Sequence, residues 1–176
     1  MKIRYFILQT LFLLTITLFS SNQSSSAFPA VNAGLNLADP TIFQYQGTYY
    51  LYGTSSDKGF LVYQSKDLKT WTGPAGKSNG FALAKGDAFG DKGFWAPQVF
   101  RYKAKFYMAY TANEQIAIAE SDSPLGPFTQ DSPKAITATG KQIDPFVFFD
   151  TNGKPYIYQF NYRKATGFSC PKWIQV

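Results

Sequence analysis

The chain has 176 residues, of which 45% are hydrophobic, 18% aromatic and only 16% charged, with a formal net charge of +6. One modest core is what this length supports, and short apolar runs punctuated by 14 Gly and 10 Pro favour an all-β protein over disorder or a helical bundle. The absence of histidine excludes a Ser-His-Asp triad, a Cys-His pair and a His-built zinc site within these residues, and the scattered lysines form no compact run that would engage nucleic acid.

Residues 1–26 read as a secretory signal peptide, with Lys2 and Arg4 ahead of an apolar run over 6–19 and a small polar tract over 20–27. Gln9, Thr10, Thr15 and Thr17 interrupt the run, which is short for a membrane span. The expectation is a secreted or periplasmic protein with no membrane attachment after cleavage. Cys170, the single cysteine, cannot form an internal disulfide and reads as an incidental thiol.

From Leu37 onward one arrangement occurs three times. Ala38-Asp39-Pro40 precedes the aromatic run Thr48-Tyr49-Tyr50-Leu51-Tyr52. Trp95-Ala96-Pro97 precedes Phe106-Tyr107-Met108-Ala109-Tyr110, and Ile143-Asp144-Pro145 precedes Tyr156-Ile157-Tyr158. Pro40, Pro97 and Pro145 stand 57 and 48 residues apart, a period that suits a multi-stranded propeller blade better than a solenoid turn.

Within the first repeat, Gln46-Gly47 marks the hairpin and residues 60–65 a third strand, closed by Ser65-Lys66-Asp67 and Trp71. Residues 73–93, rich in Gly, Lys and Ala and with little periodicity, read as a loop over one face. The second repeat predicts strands over 98–102, 105–111 and 115–120. The third turns at Asn152-Gly153 and delivers a strand over 156–160, after which the pattern stops. The reading is therefore a partial propeller domain over 27–160, about two and a half to three blades, followed by a non-propeller tail over 161–176.

In a propeller the first strand of each blade lines the central channel, so Asp39, Trp95 and Asp144 should converge although they lie far apart in sequence. Paired carboxylates beside an aromatic platform are what hydrolysis of a glycosidic bond requires. Trp95, with Phe60 and Phe94, is the candidate sugar platform. The other reading of each Asp, a cap on the turn before its Pro, stays open.

Taken in order, Ala38-Asp39-Pro40, Gly47-Thr48-Tyr49-Tyr50, Ser65-Lys66-Asp67-Leu68 with Trp71, Trp95-Ala96-Pro97 and Ile143-Asp144-Pro145 resemble glycoside hydrolase family 43, the five-bladed β-propeller arabinofuranosidases, β-xylosidases and arabinanases. The resemblance implies that Asp39 is the general base of an inverting mechanism and that Asp144 tunes and orients the acid. It implies an oligo- or polysaccharide substrate containing arabinose or xylose; no cofactor and no metal ligand are expected. The family's general acid is a Glu opening a fourth blade, whereas the two glutamates here, Glu114 and Glu120, fall late in the second repeat. The expectation is a truncated, inactive hydrolase, with an exported carbohydrate-binding pseudoenzyme as the alternative.

Overall fold

The computed structural model describes residues 30–31, 34–136, 140–161 and 172–173; residues 1–29, and with them the signal peptide, lie outside the described residues. The described elements are all strands: β1 (Ala30–Val31), β2 (Ala38–Tyr45), β3 (Thr48–Thr54), β4 (Gly59–Leu61), β5 (Tyr63–Ser65), β6 (Trp71–Thr72), β7 (Phe81–Ala84), β8 (Trp95–Tyr102), β9 (Lys105–Ala112), β10 (Gln115–Ser121), β11 (Gln142–Phe149), β12 (Pro155–Asn161) and β13 (Lys172–Trp173).

These strands form three antiparallel blades, one per repeat. The first has the order β1-β6-β5-β3-β2, the second β10-β9-β8 and the third β11-β12-β13, with β4 and β7 as a separate pair. The hairpins follow from their turns. Gln46 and Gly47 both have positive φ (47° and 69°), as do Asn113 and Glu114 (52° and 55°), which is the two-residue turn whose twist matches the flanking strands. The apolar run Ile116-Ala117-Ile118-Ala119 then gives the third strand of the second blade, in continuous register with β9 from Gln115↔Ala112 to Ser121↔Phe106.

The inner strands β2, β8 and β11 lie side by side in blade order. Two apolar layers hold the blades together. Tyr50, Tyr52, Val99, Phe106, Met108 and Tyr110 belong to the larger, between the first and second blades. Phe100, Ala109, Ile116, Val147 and Ile157 form the smaller, between the second and third. A polar clamp crosses the second layer: the Gln98 side chain donates from Nε2 to the carbonyl of Val147 (3.1 Å) and accepts its N–H at Oε1 (2.5 Å).

The structure departs from the sequence reading in three places. The strand expected over 60–65 splits at Val62: Gly59–Leu61 pairs with β7, while Tyr63–Ser65 pairs with β3. The segment 73–93 is not simply a loop, because Phe81–Ala84 supplies that pairing strand and sends Ala82 and Leu83 into the core. The third blade also has a third strand, but Lys172–Trp173 is two residues long where Gln115–Ser121 has seven.

Candidate active site

Each repeat opens on a β-bulge, and the residue before each proline is where the bulge sits. Register shifts fall between Ala38 and Thr41, between Trp95 and Gln98, and between Ile143 and Phe146. At the centre of each, a residue other than Gly adopts the left-handed region: Asp39 at φ 48°, Ala96 at 44° and Asp144 at 55°. The following Pro disfavours the right-handed helical region for these residues, and the interrupted ladder leaves their side chains outside the regular alternation. Left-handed backbone costs about 1–2 kcal/mol for an L-residue, less for Asp, so Ala96 bears the most strain.

Two threonines hold these bulges from the neighbouring blade. Thr54, the last residue of β3, accepts the Ala96 N–H at Oγ1 (2.9 Å) and donates its hydroxyl proton to Oδ2 of Asp39 (3.0 Å). Thr111, buried in β9, accepts the N–H of Asp144 at 3.0 Å. Sequence reasoning missed both, although each stands 14 residues after the proline of its repeat, an offset visible in the chain. Register puts Phe160 at this place in the third blade, opposite Ile143 as Thr54 is opposite Ala38 and Thr111 opposite Trp95.

Asp39 and Asp144 are both exposed, and the charge of Asp39 reaches Asp144. Partial burial raises the Asp144 carboxyl above its ordinary value of 3.8, and the negative charge of Asp39 raises it further. A carboxyl that holds its proton more tightly than usual is the kind of group that acid–base chemistry draws on.

The aromatic candidates separate. Trp95 is half-buried, with its indole against the backbone of Gly93; a Cβ placed on that glycine would lie 3.1 Å from the ring. The Gly93 N–H in turn donates to Oδ1 of Asp57 (2.7 Å), which fixes the support under the indole. Phe60 and Phe94, expected to face sugar, instead lie in the core with 0% and 1% exposure. They meet edge to face at 5.8 Å, and Phe94 stacks on Tyr110 at 6.2 Å. The reason is β7: Leu83 pairs with Phe60 and closes the face that a loop would have left open.

The two glutamates are committed elsewhere, Glu120 to Lys105 (3.0 Å) and Glu114 to Lys141 (2.5 Å). Among the described residues no cluster of His, Cys, Asp and Glu could hold a metal ion.

Three β-blades side by side, with carboxylates presented from bulges on the inner strands, define part of a β-propeller with an acidic centre. The chain belongs to the glycosyl hydrolases family 43, whose model matches residues 31–170. It is 30% identical over 156 residues to the arabinoxylan arabinofuranohydrolase of Bacillus subtilis, covering 69% of this chain and 30% of that protein. Among solved structures, it matches an endo-1,4-beta-xylanase from Bacteroides thetaiotaomicron at TM-score 0.65 and 39% identity, covering 75% of this chain and 44% of that one. An endo-arabinase from the same organism matches at TM-score 0.62 and 31% identity, covering 85% and 59%. The chain thus spans less than two thirds of the length of each of these relatives, as expected of a partial propeller.

Proposed function

We propose that this chain carries the water-activating side of an inverting glycosidase site, directed at O-glycosyl bonds in arabinose- or xylose-containing side chains of plant polysaccharides. Asp39 is the general base. Asp144 is the modulator that orients the acid and tunes its pKa. One observation carries the assignment: both carboxylates occupy the same left-handed bulge position on the inner strands that flank β8, near enough for the charge of Asp39 to raise Asp144. Membership of a hydrolase family and relatives named for arabinoxylan, xylan and arabinan support the substrate class.

An inverting site also needs a proton donor for the leaving oxygen. Glu114 and Glu120 are held by Lys141, just ahead of β11, and by Lys105 in β9, so we assign neither to that role. On this reading the 176 residues by themselves turn over substrate poorly or not at all, because loss of general acid catalysis typically costs about 10²–10⁴-fold. Export through the segment 1–26 is part of the same proposal and matches an extracellular polysaccharide substrate.

The test is hydrolysis of aryl arabinofuranosides and xylosides by the purified 176-residue chain. Turnover abolished by Asp39→Ala would overturn the assignment of inactivity while supporting the base. Trp95 favours a second reading, since of the three aromatic candidates it alone stays outside the core, with its ring supported from below. A chain that binds arabino- or xylo-oligosaccharides without turnover, measured by titration calorimetry, is that carbohydrate-binding pseudoenzyme.

A further inference from the structure

We infer that Thr54 is a positioning residue for Asp39, and that it sets the carboxylate's direction from the neighbouring blade. The inference rests on the reading of Asp39 as the base. It comes from how the single hydroxyl is used. A threonine hydroxyl has one proton and two lone pairs. The N–H of Ala96 in β8 occupies a lone pair at 2.9 Å, and this fixes the side from which the oxygen is approached. The hydroxyl proton then points to Oδ2 of Asp39 at 3.0 Å. The relay Ala96 N–H to Thr54 O–H to Asp39 carboxylate therefore runs from the second blade to the first.

This arrangement has two effects. It engages one lone pair of Oδ2 and leaves Oδ1 without this contact. It also ties the carboxylate's rotamer to the bulge that carries Trp95, keeping base and platform in one frame. An exposed Asp in left-handed backbone would otherwise sample several staggered rotamers. The backbone next to Thr54 is fixed in turn: a Cβ on Gly53 would lie 2.8 Å from Cβ of Leu37 and 2.9 Å from the carbonyl oxygen of Ala38. The other threonine provides an internal comparison. Thr111 makes the same contact with the next blade through the Asp144 N–H, but the bulge residue of its own blade is Ala96, which has no carboxylate to orient. Pinning the neighbouring bulge is common to both threonines, and orienting an acid belongs to Thr54.

The experiment compares the 176-residue chain with its Thr54→Val and Thr54→Ser forms by nuclear magnetic resonance. The Asp39 carboxyl ¹³C signal is assigned by its loss in Asp39→Asn, and the Asp39 χ1 rotamer is read from three-bond couplings. We expect one dominant rotamer in the parent chain, the same rotamer in Thr54→Ser, and rotamer averaging with a displaced carboxyl signal in Thr54→Val. An unchanged rotamer and carboxyl signal in Thr54→Val overturns the inference. Averaged couplings in the parent chain overturn it too, and that measurement holds even if the valine form does not fold. Failure of the hydrolase reading looks different: the rotamer responds to Thr54 as expected, yet Asp39→Ala changes neither sugar binding nor any turnover.

Discussion

The main-chain N–H of Asp144 donates to the buried hydroxyl of Thr111 at 3.0 Å, so the third blade's bulge is anchored by the second blade. The backbone conformation at Asp144, with φ at 55°, is thus supported by a contact that no local sequence rule supplies. Thr111→Val keeps the shape and removes the acceptor, leaving the Asp144 N–H without it. We expect a loss of about 1–3 kcal/mol in urea unfolding. Thr111→Ser, which keeps the acceptor, should lose about half of that or less. Equal losses for the two substitutions would mean that the methyl group and not the hydroxyl matters.

The raised pKa of Asp144 makes a signed prediction about pH. Its folded value lies above the ordinary 3.8, so the unfolded chain is the better acid. The contribution to stability is fully present below about pH 3.8 and is lost as pH rises through the folded value. Asp144→Asn removes the charge that burial opposes. Thermal melts should therefore show the variant gaining on the parent as pH increases from 3 to 7. Asp39→Asn should lower the Asp144 titration only part of the way, because burial is the larger cause and the Asp39 charge the smaller.

Asp67 should behave in the opposite sense. Its carboxylate accepts the N–H of Thr70 (2.7 Å) and of Lys69 (2.8 Å), and these bonds bring it down to about 2. The stabilisation is present above the ordinary 3.8 and disappears as pH falls through about 2. In Asp67→Asn the slope of melting temperature against pH should be shallower between 4 and 2 than in the parent chain. Parallel slopes would show that these amide bonds do not distinguish the charged carboxylate.

Gly93→Ala tests the support of the candidate sugar platform. Gly93 sits at φ 62°, and an added Cβ would lie 3.1 Å from the rigid Trp95 ring, so the indole must shift by a few tenths of an ångström. The expected outcome is a destabilisation of about 1 kcal/mol with a changed Trp95 fluorescence spectrum, read against a Trp95→Phe control. If the chain binds oligosaccharide, affinity should fall in Gly93→Ala as well. An unaltered spectrum would mean that the ring does not rest on this glycine.

The repeats were legible because proline and aromatic residues recur in fixed order, and hairpin turns such as Gln46-Gly47 announce themselves by residue type. The inner-strand position of Asp39 and Asp144 followed from that order. What escaped was non-local. Phe60 read as a surface aromatic because its cover, Phe81–Ala84, sits in a stretch with no periodicity of its own. A four-residue strand paired with a three-residue one is too short to carry a pattern. The bulges were equally hidden, since Asp-Pro is compatible with both a turn cap and left-handed backbone. The shared offset of Thr54 and Thr111 from their prolines is visible in the chain, but the hydroxyl contacts they make depend on how one blade meets the next.

The three bulges share a backbone and differ in what they hold out: Asp39, Ala96 and Asp144. Because the strained conformation recurs whichever of these side chains is present, the fold works as a set of sockets. The blade decides where a group is presented, and the residue in the socket decides which group it is. Ala96 is such a socket filled with a methyl group. At each of these three places a single residue therefore decides what the inner strand presents.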